Sequence, residues 1–379
     1  MSNPDRRALF GFMAFGVFWG AWGAALPALQ RQTQASDGEL GFGLVLVGFG
    51  ALVSMRATGV LIDRLGRRLT PAAIAAFGVA GILPALVNSP GRLYVALLAV
   101  GATSGAMDVA INADAVGEEL RSGRPLLNLA HATFSAAVVV ASLATGALRS
   151  AGAGPVAVFA MTSVVMVAVA FAARGVPPGP KLSADVPRPR LFQRVPSWLL
   201  LVGALGATAY WIENAWQSWG AVHVERSFDA SPGVSALAPA LFAGAMAAGR
   251  LGVHRLARPG SERLVLSAGA LVAAAGSLVA ALAPTAAVAL AAVVVAGAGC
   301  AVCAPTLVSL AGRAAAHHER ATVVGSLTTL MYLGFLVGPA AVGGLAQAAS
   351  LRASLAVVAA LAFLLGVLFA LVPLPGTRR

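Results

Sequence analysis

The stretch Gly59-Val-Leu-Ile-Asp63-Arg64-Leu-Gly66-Arg67-Arg68 interrupts two apolar runs, 40–62 and 70–88. Crossing ~30 Å of hydrocarbon at ~1.5 Å per residue takes about 20 residues. Each run meets that length, so a short charged turn between them reads as the link between two antiparallel membrane helices. The pattern returns 191 residues later, with Met55-x-x-x-Gly59-x-x-x-Asp63-Arg64-Leu65-Gly66-Arg67 lying over Met246-x-x-x-Arg250-x-x-x-His254-Arg255-Leu256-Ala257-Arg258. The same shift sets Phe134-Ser135 over Gly325-Ser326. A span-loop-span unit has been duplicated, as in transporters built from parallel repeats.

Working outward, further apolar runs fall at 8–29, 92–114, 126–148 and 155–173, then at 197–222, 233–253, 263–283, 286–310, 321–346 and 351–373. Between the sixth and seventh lies RGVPPGPKLSADVPRPRLFQR (174–194), rich in Pro and charge and without helical period, which reads as a linker. The spacing therefore predicts an all-α membrane protein of twelve transmembrane helices in two six-helix bundles, residues 1–173 and 197–379, joined by a cytoplasmic linker at 174–196. Composition agrees: of 379 residues, 59% are hydrophobic and 11% charged, where a soluble chain carries about 25% charged residues. Twelve spans of ~22 residues consume ~264, so no folded extramembrane domain, and no nucleotide-binding domain, fits in the remainder. The first run is too long for a signal-peptide core and is followed by no A-x-A-like cleavage site.

The net charge of +12 would suggest nucleic acid in a soluble protein. Here the basic residues lie between the apolar runs. With the N-terminus inside, nineteen of the 26 fall on the cytoplasmic side, five opposite, and two, Arg56 and Arg250, within spans. By the positive-inside rule both termini and the linker are cytoplasmic. The charge is a topology signal, and no nucleic-acid partner is expected.

An ionised residue in mid-span costs roughly 2.5–3.5 kcal/mol on insertion scales, so each asks for a reason. Asp108 and Asn112 in the fourth span are i, i+4 and share a face. By helical rise Asp108 and His131 stand at comparable depths in antiparallel spans, so a carboxylate and an imidazole could meet there as a proton carrier. The plainer alternative is a packing hydrogen bond from Asp108 to a neighbouring helix. Asp114 is placed nearer the cytoplasmic end, facing Glu118 and Arg121. In the seventh span, Tyr210-Trp-Ile-Glu213-Asn214-Ala-Trp216-Gln217-Ser-Trp219 puts Glu213, Trp216 and Gln217 on one face, which suggests a lined cavity; an interfacial aromatic belt suits Trp219 but not Glu213. Trp19 and Trp22 in the first span suit helix packing and solute stacking equally. Cys300 and Cys303 read as small residues packing a helix, since no further zinc ligands lie nearby. No metal or cofactor is expected. Gly101-Ala-Thr-Ser104-Gly105 has the wrong spacing for an intramembrane serine protease, and the chain is read as a non-enzyme.

The loop from Gly59 to Arg68 resembles the signature G-x-x-x-D-R-x-G-R-R/K of the major facilitator superfamily (MFS). That resemblance implies that Gly59, Asp63, Arg64, Gly66, Arg67 and Arg68 form a cytoplasmic charge latch for conformational gating, with Arg250 as the counterpart in the repeat. The segments Gly105-Ala-Met-Asp108-Val-Ala-Ile-Asn112-Ala, Glu119, Arg124-Pro125, His131-Ala-x-Phe-Ser135 and Glu213-x-x-Trp216-x-x-Trp219 resemble the YbjJ-like branch of bacterial facilitators, distantly similar to fucose permeases. That branch carries glycines after the His-x-x-x-Ser motif where this chain has Ala136 and Ala137. Gly325, Gly334 and Gly338-Pro339 are spaced like a drug-antiporter motif, but that motif belongs to the fifth span, which here has no Pro, so it does not set a direction.

Residues and resemblance together give an expectation of a secondary transporter in the bacterial inner membrane, a monomer that moves a small-molecule solute by alternating access with protons. Asp108, His131 and Glu213 are expected to couple protons, while Trp19, Trp22, Asn112, Asn214, Trp216 and Gln217 line the substrate cavity. Efflux by antiport of a drug-like or metabolite solute is the first expectation, favoured by an apolar, aromatic cavity. Uptake of a sugar or related nutrient by symport is the alternative.

Overall fold

The computed structural model describes residues 3–65, 69–123, 126–174, 196–256, 260–316 and 319–375, and among them there is no strand. The first half holds α1 (Asn3–Thr33), α2 (Asp37–Leu65), α3 (Leu69–Gly81) with a 3-10 turn (Leu83–Leu86), α4 (Pro90–Ser122), α5 (Leu127–Ser150) and α6 (Pro155–Arg174). The second holds α7 (Ser197–Ser227), α8 (Pro232–Ser235), α9 (Leu237–Leu256), α10 (Glu262–Leu282), α11 (Ala286–Cys300), α12 (Cys303–Ala314), α13 (Arg320–Ala348) and α14 (Leu351–Leu371). Eleven stretches of the described residues are long and apolar enough to span a membrane. The twelfth helix, α7, has the length, 31 residues, but is diluted by Glu213, Asn214, Gln217, His223, Glu225 and Arg226. The expected linker 175–195 lies outside the described residues.

The helices begin and end where local chemistry says they should. Pro90 and Pro155 open α4 and α6, where a missing N–H costs nothing. Gly123 closes α4 with φ +66, its N–H donating to the Glu119 carbonyl. The Ser350 hydroxyl caps α14 by accepting from the Ala353 N–H at 3.1 Å. Two expected spans are broken, and proline explains both. Pro239 lacks the N–H that would bond the Ser235 carbonyl, and the eighth span divides at Ala236 into α8 and α9. Pro305 likewise has no N–H for the Ala301 carbonyl, and the tenth span divides into α11 and α12 between Cys300 and Cys303. The C-A-V-C read as helix packing is therefore the break in its helix, with both thiols buried and free.

The chain divides into two compact units, Met1–Ala184 with Ala230–Ala240, and Asp185–Asp229 with Leu241–Arg379. In unit 1, α1 packs along α5. A Cβ on Gly16 would overlap the Phe134 carbonyl, and one on Gly20 would lie 2.9 Å from the Val138 Cα, so only glycine lets these backbones meet. Polar atoms of α5 bridge the same seam: the Ser142 hydroxyl donates to the Gly20 carbonyl at 3.1 Å and Arg149 Nη1 to the Ala24 carbonyl at 2.6 Å. In unit 2, α7 packs along α13 with glycines on both sides: Gly203 and Gly206 of α7 make room for the Leu330 and Met331 side chains, and glycines of α13 make room for the α7 backbone and Trp211. A Cβ on Gly334 would overlap the Ala207 carbonyl and one on Gly338 the Trp211 ring.

Candidate functional site

In unit 1 the fourth span brings its polar residues to two sides. Gly101 and Gly105 rest on Val47 and Ala51 of α2, and the same stripe continues through Asp108 and Asn112, both half-buried. The Asn112 amide donates to the Asp108 carboxylate at 3.0 Å and to the Asp108 carbonyl at 2.9 Å. His131, exposed at the start of α5, packs edge-on against Phe12 of α1 with ring centroids 4.9 Å apart. Asp108 thus stands on α4 bonded to Asn112, and His131 on α5 against Phe12 of α1.

Asp114 is a correction. It was expected at the membrane surface beside Glu118 and Arg121. Instead α4 continues to Ser122 and turns Asp114 against the first turns of α1, where it meets Arg7 Nε at 3.0 Å, both side chains about 95% buried. Glu118, one turn on, is buried too, and the Arg121 side chain lies outside the described residues. Glu119 accepts the N–H of Leu127 at 2.8 Å and so ties the turn into α5.

The aromatic residues of α1 split by exposure. Phe12, Phe18 and Trp22 are buried; Phe15 and Trp19, one turn apart, are half-buried. Trp22 stacks on Phe18 (6.1 Å, 18°) and meets Phe159 of α6 edge-on. It belongs to the interior of unit 1, not to an open cavity wall as expected. Trp19 meets Phe15, Phe18 and Phe77. Phe15 was missed from the sequence, though its i, i+4 spacing to Trp19 is the signal that would have found it.

In unit 2, Glu213 is 8% exposed and accepts a hydrogen bond from the Gln217 amide at 2.9 Å. Arg250 of α9 lies within Coulombic range of its carboxylate, as do Cys300 and Cys303 at the break of the tenth span. Asn214 accepts from the Ser218 hydroxyl at 2.9 Å. Gln217 is exposed. Trp216 is a second correction: it is 1% exposed and its indole N–H donates to the Ser277 hydroxyl of α10 at 2.8 Å, which makes it bundle interior rather than cavity lining. Trp219, suited to an interfacial belt by its place near the span's end, is fully buried because α7 runs on to Ser227. The buried His223, not singled out from sequence, joins the Ala280 carbonyl and the Ser227 hydroxyl, each at 3.0 Å.

Of the gating residues, Gly59 is half-buried in α2, and a Cβ built on it meets nothing within 4 Å. Asp63 and Arg64 close α2, with side chains outside the described residues, and Gly66, Arg67 and Arg68 lie outside them altogether. No group of three metal-ligating side chains occurs among the described residues.

The family model described as Major Facilitator Superfamily matches residues 8–333 and 226–379. An uncharacterized MFS-type transporter of Yersinia pestis is 31% identical over 354 residues, covering 92% of this chain and 91% of that protein. The membrane protein MosC of Rhizobium meliloti is 25% identical over 372 residues, covering 94% and 89%. Among solved structures, the nucleoside transporter NupG superposes with a TM-score of 0.81 at 13% identity, covering 97% of this chain and 99% of that one. The E. coli fucose:proton symporter FucP superposes with 0.64 at 18% identity, covering 98% of each chain. At these identities the solved structures establish the fold.

Proposed function

Because the chain belongs to the Major Facilitator Superfamily, a family of secondary transporters and not of enzymes, we propose that it moves a small organic solute across the bacterial inner membrane in company with protons, as a monomer with both termini in the cytoplasm. The observation that carries this reading is the acid-amide pair inside a span: Glu213 with Gln217 in α7, buried and within reach of Arg250. A carboxylate kept at that depth, against its insertion cost, suits a group that takes up and gives back a proton. Asp108 with Asn112 is the second such pair, in α4. His131 is the candidate shuttle between Asp108 and water, being exposed at the start of α5.

The reading favours symport. The Glu213 carboxylate feels the charge of Arg250 without a salt bridge between them, and neutralising the acid with a proton leaves that cation to be balanced by the solute, so proton and solute bind together. Export by antiport is the second reading. It is supported by Phe15 and Trp19, the half-buried stripe that could hold an amphipathic solute, although Trp22 and Trp216 no longer add to such a surface. The cavity set then reduces to Trp19, Asn112, Asn214 and Gln217, with the charged loop after Gly59 as the gating latch. Proteoliposomes holding an imposed pH gradient decide the coupling: accumulation of a transported solute should collapse with the gradient and in Asp108→Asn or Glu213→Gln. Undiminished accumulation after the gradient is removed would refute it.

A further inference from the structure

The charged groups inside the spans are not equally accessible. Asp108 is half-buried and Glu213 is buried, whereas Arg56 of α2 and Arg250 of α9 are both exposed. Neither guanidinium makes a hydrogen bond or salt bridge among the described residues. A guanidinium stays ionised and brings five N–H donors that need acceptors. The depth of Arg250 sharpens the question. Its neighbour Gly249 rests on Ala298 and Ala301, at the break between α11 and α12 and so about midway along the tenth span. An arginine at the end of a helix can reach the headgroups. One at mid-span is kept where it meets water or an anion.

The acid that feels its charge is Glu213, which already accepts from Gln217 and is turned into the bundle. The accessible member of the pair is therefore the cation. Of the other groups that face Glu213, Cys300 and Cys303 come from α11 and α12. Tyr332 of α13 packs on Tyr210, one turn before Glu213. The charged residues of α13 and α14, Arg320 and Arg352, stand at the starts of those helices, away from this level.

We propose that Arg250 receives the anionic group of the transported solute, which makes that solute a small organic acid whose oxyanion, carboxylate or phosphate, takes the place of Glu213 at the guanidinium. The charge balance closes. With Glu213 ionised and Arg250 positive the pair is neutral; with Glu213 protonated and a monoanion on Arg250 it is neutral again. One proton enters with each solute monoanion, a phosphate monoester counting in its singly protonated form, and no net charge is left in the low-dielectric bundle. A planar fork suits this exchange, because one guanidinium can bind a carboxylate through two parallel N–H bonds. The proposal deepens the transport reading above and rests on it for the proton half only.

The test uses the purified full chain in lipid nanodiscs and matched probes: butyrate and benzoate, their amides, their amines, and phenyl phosphate. Thermal stabilisation and calorimetric binding should select acids over the matched amides, with phenyl phosphate separating a general oxyanion site from a carboxylate site. Arg250→Gln should weaken acid binding about tenfold or more, and Arg250→Lys, which keeps the charge without the fork, should fall between. Glu213→Gln should tighten acid binding and remove its dependence on pH. Amides or amines binding as well as acids, no acid binding at millimolar concentration, or Arg250→Gln within twofold of the parent would overturn the proposal. Acid binding through Arg250 that ignores pH in the parent protein would sink the proton-coupling reading and leave this one standing. Proton-coupled flux of neutral or cationic probes would do the reverse.

Discussion

In unit 1 the first span meets the fifth through its own glycines, Gly16 and Gly20. In unit 2 the equivalent positions, 191 residues further on, are Ala207 and Trp211, and there the relieving glycines are Gly334 and Gly338 of the partner helix, while Gly203 and Gly206 of α7 receive the Leu330 and Met331 side chains. The acid-amide device is shared in the same exchanged way. Asp108 and Asn112 sit on the fourth span of unit 1, Glu213 and Gln217 on the first span of unit 2, each an i, i+4 pair held by a hydrogen bond of about 3 Å. At the repeat position of Glu213 unit 1 has the buried Trp22, and at that of Asn112 unit 2 has Cys303, whose thiol meets the Gly299 carbonyl. Duplication kept the scaffold, because close helix approach needs a small residue on either side but not on a particular one. The polar residues were free to move between helices of each bundle.

Four sets of substitutions break or sharpen that comparison. The largest effect belongs to the Arg7–Asp114 pair of unit 1. Asp114→Asn takes a charge partner from the buried Arg7 guanidinium and should cost about 3–5 kcal/mol, whereas the double change to Met and Leu should be far milder. Thermal unfolding in detergent reads both. Next, Gly334→Leu should destabilise by about 1–3 kcal/mol through overlap with the Ala207 backbone. Gly16→Leu should match it if the two seams are equivalent; a twofold difference in the shift of the melting temperature would show that they are not. Trp216→Phe removes the hydrogen bond to Ser277 and should cost about 1 kcal/mol. Trp22→Phe, which keeps an aromatic ring against Phe18 and Phe159, should cost less in the same assay. Smallest is Gly59→Ala, where open space surrounds the added methyl; replacing a mid-helix glycine should stabilise by about 0.5–1 kcal/mol while slowing transport if the residue serves gating.

The number and placement of the helices were legible because a membrane span is set by length and apolarity, and most expected ends agree with the observed ones within a few residues. The breaks were readable from Pro239 and Pro305 but hidden inside continuous apolar runs. The i, i+4 spacing exposed both acid-amide pairs. What it did not expose is which way the large side chains of α1 and α7 turn. Helices apolar on all sides carry little periodicity, so Trp22 and Trp216, buried, look in sequence like Trp19, half-buried. The Arg7–Asp114 pair joins residues far apart in the chain, and no local pattern announces it.

The most direct test of the account compares exchange with accumulation in proteoliposomes, using an acid identified by the probe panel. In the parent protein a pH gradient should drive accumulation, with a proton entering alongside each solute anion. Glu213→Gln should still exchange solute across the membrane at equilibrium but no longer accumulate it or carry protons. If Glu213→Gln accumulates solute and moves protons as the parent does, Glu213 is not the coupling group and the account fails.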